Sequence, residues 1–303
     1  MSNTIGIIGL GIMGSSYARN LMSKGFKVVG YDVDLAKVQQ LAKEGMQAAQ
    51  SPIEVANACS YIITSLPSPQ ALMDVVDAKT GIGACKKPLV IADTATLALQ
   101  DKEKAAEILK SGGHTMLDCP VSGTGAQAVH ADLVIFGSGD APSFEAMRPF
   151  FKAIGREIHY LGVLGNGSRM KYVANLLVTI HNVSAAEAMA FGMKSGIAPE
   201  TIYDVLKSSA GSSRMFEVRG PMMVRNVYDQ NVSANFKVMA KDISIISQFA
   251  QTIDCPTPLF STAANIHSAA VAQGYEMSDT ASVCKVMENL CGVDRSPFEG
   301  SKN

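Results

Sequence analysis

The 303-residue chain lacks any paired cysteine spacing: Cys59, Cys85, Cys119, Cys255, Cys284 and Cys291 are scattered, with no CxxC among them. That pattern reads as free buried thiols in a reducing compartment rather than a disulfide framework. The five histidines, His114, His130, His159, His181 and His267, are equally dispersed, with no HExxH and no close His/Cys cluster. A structural or catalytic metal site therefore has little support. An excess of basic charge is absent too, since 26 Lys and Arg face 27 Asp and Glu for a formal net charge of −1. This argues against the electrostatic footprint of a nucleic-acid-binding surface. No wholly apolar run approaches the ~18 residues that span a bilayer. The apolar stretch from Ile5 is glycine-rich and no basic residue precedes it, the first being Arg19. No signal peptide is expected, and the cytoplasm is the expected location. No internal repeat or low-complexity tract appears.

What remains is the balance of a well-buried globular chain, 47% hydrophobic and 17% charged, long enough for two domains. In the first half, short apolar runs at Thr4–Ile8, Lys27–Tyr31, Tyr61–Thr64, Leu89–Ala92, Thr115–Leu117, Leu133–Phe136 and Glu157–Leu161 are bounded by Gly, Pro, Asp or Ser. They read as strands buried on both faces. Helical patterns such as Gly14–Lys24 and Asp34–Glu44 lie between the early ones. The alternation implies right-handed βαβ crossovers and a doubly wound, mainly parallel sheet. After the turn Gly162–Gly167 the texture becomes helical, first from Ser168 to about Ser195, with breaks expected at Pro199, Gly211, Gly220-Pro221 and Pro256–Pro258. The expected organisation is a Rossmann-type α/β domain over residues 1–163 and an all-α domain over 164–303.

Directly after the first strand and before the first helix stands Gly9-Leu10-Gly11-Ile12-Met13-Gly14. Gly9 permits a tight turn, Gly11 lets backbone approach a pyrophosphate, and Gly14 lets helix and strand pack closely. The helix N-terminus then offers N–H groups and partial positive charge to phosphates. Asp32 ends the second strand, 18 positions after Gly14. That is near the ~20 expected of the carboxylate that holds a ribose hydroxyl pair. A carboxylate there repels a 2′-phosphate, which favours NAD over NADP, although Lys37 stands close by. Three further segments, 65–68, 93–96 and 118–123, follow strand ends on the same edge of the sheet, where open α/β sheets bind ligands.

Four separated motifs, in order, resemble those of the β-hydroxyacid dehydrogenases, the family that includes 3-hydroxyisobutyrate dehydrogenase and tartronate semialdehyde reductase. They are Gly9 through Leu21, Asp118 through Gly123, Gly162 through Gly167 with Lys171 and Asn175, and Lys241-Asp242. The resemblance spans nearly the whole chain. It implies reversible hydride transfer between NAD and a small 3-hydroxy or 2-hydroxy carboxylic acid, giving its semialdehyde or keto acid. It further implies Lys171 as general acid/base and Asn175 as its orienting partner, with Ser122 and Gly123 on the substrate. Thr96 and Lys241 would contact the cofactor, Leu66 and Pro67 would line it, and Phe236 would close over the ligands or else serve as a core aromatic. A homodimer or homotetramer is the family expectation.

The residues carry their own case for Lys171. Lys171 and Asn175 lie four positions apart and so share a helix face, on the first helix beyond the domain boundary. Oxidising an alcohol needs a group that takes the hydroxyl proton, and a lysine of lowered pKa serves near neutral pH. Departures from the family pattern bear on substrate. Ser122-Gly123 is followed by Thr124-Gly125-Ala126-Gln127, and Ala95 stands where serine is usual before Thr96. Thr124 is a candidate substrate contact or a cap of the next helix. Arg214 and Arg219 are candidate carboxylate partners or plain surface arginines. Hydroxyisobutyrate, glycerate-type and threonate-type acids all remain open. So do two other functions: an imine reductase on the same scaffold, whose members generally lack the lysine, and a cofactor-binding protein without turnover.

Overall fold

A computed structural model of the chain describes residues 3–298 apart from Asn231 and Ser233. Contacts divide it into two compact units, residues 1–171 and 172–303.

The first unit contains β1 (Thr4–Ile8), α1 (Ile12–Ser23), β2 (Lys27–Tyr31), α2 (Leu35–Lys43), β3 (Gln47–Ala48), α3 (Pro52–Ala58), β4 (Tyr61–Thr64), α4 (Pro69–Val76), β5 (Val90–Asp93), α5 (Leu99–Ser111) and β6 (Thr115–Asp118). These strands form one parallel sheet in the order β3-β2-β1-β4-β5-β6. Successive strand residues point to opposite faces, and the sequence fills both. Ile7, Val28, Ile63, Ala92 and Leu117 pack on one face with Tyr17 and Leu21 of α1. Ile8, Val29, Ile62, Ile91 and Met116 pack on the other with Val55 of α3 and Leu72 of α4. A sheet covered on both faces has no need of polar alternation, which explains the near-continuous apolar runs. The order reverses between β1 and β4, the switch point at whose carboxyl ends open α/β sheets bind ligands.

Two features differ from expectation. β5 and β6 each run one residue further, to Asp93 and Asp118, because the backbone ladder continues through the Thr64–Asp93 and Asp93–Asp118 pairs. The later runs also leave the main sheet. After Pro120, which has no N–H to give a ladder, β7 (Val121–Ser122) turns back antiparallel against β8 (Val134–Gly137), which pairs parallel with β9 (Glu157–Tyr160). Between and beside them lie α6 (Gly125–Val129) and α7 (Ala141–Ile154).

Helix α8 (Asn166–Lys194) begins in the first unit and carries the chain into the second. By length and composition it is apolar enough to cross a membrane, and half of its most apolar window is buried inside the protein. Within the second unit its buried face also carries Thr179 and Asn182, whose Nδ2 donates to the Thr280 carbonyl at 2.7 Å. The unit continues with α9 (Pro199–Leu206), α10 (Arg214–Arg225), α11 (Phe236–Thr252), α12 (Pro258–Ala272) and α13 (Val283–Cys291) around a core that includes Met189, Met193, Ile202, Phe216 and Phe236.

The break expected at Gly220-Pro221 does not occur, since α10 runs through it. Proline deprives the Glu217 carbonyl of its helical donor, and the Tyr203 hydroxyl donates to that carbonyl instead at 3.1 Å. Gly220 makes room for the same ring, because a Cβ there would stand 2.4 Å from it. Arg219 is not a surface arginine. It is buried and pairs with buried Asp279 at 3.1 Å, bracing α10 against the turn before α13, whereas exposed Arg214 pairs with Glu217.

Candidate active site

The glycine turn lies at the sheet's switch point, and each glycine has a distinct physical reason. Gly9 has φ +90°, and a Cβ there would stand 2.3 Å from the Ser65 carbonyl oxygen at the end of β4. A Cβ on Gly14 would stand 1.9 Å from the Gly9 carbonyl oxygen, so only glycine lets α1 pack onto its own turn. At Gly11 a Cβ would meet nothing within 4 Å. Gly11 is also the N-cap of α1, with no side-chain cap bond and no acidic residue in the first turn. The starts of α2, α3, α4 and α7 are instead capped by Asp34, Ser51, Ser68 and Asp140. What sets α1 apart is its place: its positive end stands on the glycine turn at the switch point, with open space at Gly11 for a pyrophosphate.

Asp32 closes β2 beside this turn. Its Oδ2 accepts the Leu10 N–H at 2.6 Å and its Oδ1 accepts the Asp34 N–H at 2.8 Å. Lys37 stands 3.8 Å away. The carboxylate therefore braces the glycine loop from below, a role that spacing alone does not reveal. Ile12 is exposed at the turn, Leu10 is buried and Met13 half-buried. Leu66 packs at the end of β4 within reach of Gly9, while Pro67 is exposed. Thr96 is half-buried beyond β5, whose end is tied to β4 by the Thr94 hydroxyl donating to the Thr64 carbonyl at 2.8 Å.

On the segment expected to meet substrate, Ser122 is half-buried and Gly123 is exposed with φ +140°. Thr124 is the N-cap of α6 and forms a reciprocal capping box with Gln127. The capping alternative for Thr124 is the one its contacts satisfy.

Lys171 is buried on the second turn of α8, and Asn175 is buried one turn further on. In the second unit the Asn175 amide donates to Asp242 Oδ2 at 2.7 Å, and Asp242 Oδ1 lies 3.2 Å from Lys241 Nζ. Asp242 thus orients Asn175. Phe236 is a core aromatic, 1% exposed and edge-on to His267 at 5.3 Å between ring centroids.

The charged group that sequence reasoning missed is Lys102. It is fully buried on α5, 2.9 Å from Asp93 and 2.7 Å from Asp118. Burial works against its charge, yet the two carboxylates outweigh that and raise its pKa above the ordinary lysine value. A signal was available, because Lys102 falls on the apolar stripe Leu99, Ala105 and Leu109 of an otherwise amphipathic helix, between two strands that end in aspartate. Among the described residues no group of three or more His, Cys, Asp or Glu has metal-binding geometry.

A glycine turn at the switch point, an acidic brace at the end of β2 and an open helix start define a dinucleotide-binding domain. Comparison with known proteins narrows the class. A family model for the NAD binding domain of 6-phosphogluconate dehydrogenase matches residues 4–162, and one for the NAD-binding of NADP-dependent 3-hydroxyisobutyrate dehydrogenase matches residues 165–287. L-threonate dehydrogenase of Cupriavidus necator is 32% identical over 293 residues, covering 96% of this chain and 98% of its own. 2-(Hydroxymethyl)glutarate dehydrogenase of Eubacterium barkeri is 31% identical over 295 residues, covering 96% and 97%. The solved structure of 3-hydroxyisobutyrate dehydrogenase from Salmonella typhimurium matches with a TM-score of 0.81 at 29% identity, over 93% of this chain and 99% of that one. The chain belongs to the β-hydroxyacid dehydrogenase family. It is a nicotinamide-dependent oxidoreductase, using NAD with NADP as the less favoured cofactor, that acts on the CH–OH group of small hydroxy acids.

Proposed function

We propose that Lys171 is the general acid/base of this reaction and that Asn175 is its neighbour on the substrate. The observation that carries the reading is the placement of a buried lysine and a buried asparagine one turn apart on α8, with the asparagine amide fixed by Asp242. In the oxidising direction Lys171 Nζ, in its neutral form, takes the hydroxyl proton as the carbon–oxygen double bond forms; in the reducing direction it returns that proton to the carbonyl oxygen. Bound NAD supplies the acceptor for the hydride that leaves the same carbon. Asn175 Nδ2 gives one of its two N–H groups to Asp242, which leaves Oδ1 to accept from a substrate hydroxyl or from the lysine and a second N–H to donate. Ser122 and the Gly123 backbone hold the substrate carboxylate, and Thr96 and Lys241 hold the cofactor.

Lys171→Ala tests this. Turnover is expected to fall by about 10²–10⁴-fold, the usual contribution of a positioned acid/base, with NAD affinity within about twofold of wild type. Near wild-type turnover refutes the assignment. The same lysine disfavours imine reduction, and a panel of cyclic imines with NADH checks that alternative. Stoichiometric NAD binding with no change in nicotinamide absorbance across a panel of hydroxy acids would instead favour a protein without turnover.

Two further readings belong here. Met170, Val173 and Leu177 expose an apolar stripe on α8, which supports a homodimer or homotetramer; mass in solution tests it. All six cysteines are free thiols, which supports the reducing cytoplasm as the site of action.

A further inference from the structure

Three strands and two helices of the first unit converge on one buried set of charges. Thr64 Oγ1 at the end of β4 donates to Asp93 Oδ1 at 2.7 Å. Lys102 Nζ on α5 bridges Asp93 Oδ2 at 2.9 Å and Asp118 Oδ1 at 2.7 Å. Asp118 then reaches the start of α8 twice: its Oδ2 accepts the Ser168 N–H at 2.7 Å, and its Oδ1 accepts the Ser168 hydroxyl at 2.9 Å. The neighbouring Gly167 N–H donates to Ser138 Oγ at 2.9 Å, and that hydroxyl donates to the Asp118 carbonyl at 3.1 Å. Thr64, Asp93, Lys102, Asp118, Ser138 and Ser168 are all at most 1% exposed. A Cβ on Gly167 would stand 2.3 Å from the Phe136 carbonyl oxygen and 2.5 Å from that of Asp118, so the helix start lies directly on strand backbone.

We propose that the Asp93–Lys102–Asp118 cluster is a positioning device that sets the direction and rotation of the first turn of α8, and through it the place of Lys171. The proposal rests on the acid/base reading of Lys171 given above. One hydrogen bond to a helix end leaves a hinge, whereas two bonds to the backbone and side chain of one residue fix rotation as well. Lys171 lies three residues beyond Ser168, so any swing there is passed on within one turn. The fork needs a carboxylate that acts only as an acceptor. Lys102 supplies the positive charge that makes this tolerable in the core, and Asp93 holds Lys102. The cluster's net negative charge faces the positive end of α8. Asp93, Lys102 and Asp118 are positioning residues, since they act through Ser168.

Asp118→Asn tests the device, because the amide keeps the shape, leaves Asp93 and Lys102 as a neutral pair, and offers one acceptor in place of two. We expect kcat to fall about 10- to 100-fold, the scale at which a small displacement of a catalytic group acts. NAD affinity and the KM for the hydroxy acid should stay within about threefold. Ser168→Ala, which removes only the hydroxyl arm, should lower kcat by about 3- to 10-fold, and the double variant should be no worse than Asp118→Asn alone. In a Lys171→Ala background Asp118→Asn should cost nothing more. The idea is overturned if Asp118→Asn keeps kcat within twofold of wild type, if its effect multiplies with that of Ser168→Ala, or if NAD affinity falls in step with kcat. Should Asp118→Asn fail to fold, Ser168→Ala decides: a lower kcat at constant KM supports the device, and an unchanged kcat overturns it. Amide exchange over residues 167–171 is a readout independent of the chemistry. If Lys171→Ala retains turnover, the acid/base reading fails, yet faster exchange in Ser168→Ala would still support the clamp and unchanged exchange would overturn it.

Discussion

Asp32→Asn separates two roles that one carboxylate combines. Each Asp32 oxygen already accepts a backbone N–H, Oδ2 from Leu10 at 2.6 Å and Oδ1 from Asp34 at 2.8 Å. An amide of the same shape has one acceptor. Leu10 is buried and Asp34 exposed, so the amide oxygen should turn to Leu10, while water satisfies Asp34. The loss in stability should then be that of a single exchanged hydrogen bond, about 1 kcal/mol, or roughly 2–4 °C in Tm for a unit of this size. The loss in cofactor binding should be larger, because the bonds from the ribose hydroxyls are made to a charged acceptor and are worth about 1.5–3 kcal/mol. NAD should bind roughly 10- to 150-fold more weakly. NADP should bind as well as before or better, since the charge that repels its phosphate is gone while Lys37, 3.8 Å from Asp32 Oδ1 and 3.4 Å from Asp34 Oδ2, stays close by. Fluorescence titrations of both cofactors, with a thermal melt of each protein, read the two effects separately. A Tm loss of the stated size with NAD affinity unchanged within twofold would make Asp32 a loop brace and refute its role in cofactor choice.

Two other outcomes follow from single side chains. Burial, helped by the nearby Arg219 charge, lowers the His267 pKa from 6.5 to about 4. The unfolded chain takes up a proton that the folded chain refuses, so this group's contribution is complete above pH 6.5 and is lost progressively as pH falls toward 4, up to about 3 kcal/mol. Urea unfolding of wild type and His267→Gln across that window should give a steeper fall for wild type; equal slopes would remove His267 from the account. Thr124→Ala should cost about 1 kcal/mol or less as a lost cap, with the KM for the hydroxy acid within twofold, and a tenfold rise in KM would place its hydroxyl on the substrate instead.

Much of the first unit was legible because its physics is local. A strand buried on both faces must be apolar along its length, and β1, β2 and β4 begin and end where those runs do. The turn at Gly9–Gly14 was legible because only glycine survives there, at 2.3 Å and 1.9 Å from backbone oxygens. The separate sheet of β7, β8 and β9 was hidden, since β7 is two residues long and nothing in a short apolar run says which neighbour it will join. Gly220-Pro221 misled for a similar reason. The partner that rescues the Glu217 carbonyl is Tyr203, on a different helix, and a local reading of proline has no access to it.

The site divides along the same line. Family resemblance singles out Lys171 and Asn175, whose spacing adds only that they share a helix face, whereas the fork from Asp118 to Ser168 joins residues 50 positions apart and carries no local signal. The Asp93–Lys102–Asp118 cluster also resists an explanation by stability alone. Buried ions give up their hydration, and apolar side chains of similar volume fill such space as well or better. Apolar filling holds a helix through interlocking side-chain shape, whereas two directional bonds from one carboxylate also tie the backbone and side chain of a single first-turn residue to a fixed point. On the acid/base role proposed for Lys171, a helix that presents this group to the same point on every turnover has reason to begin on a buried aspartate, and that aspartate has reason to be held by a lysine that no solvent reaches.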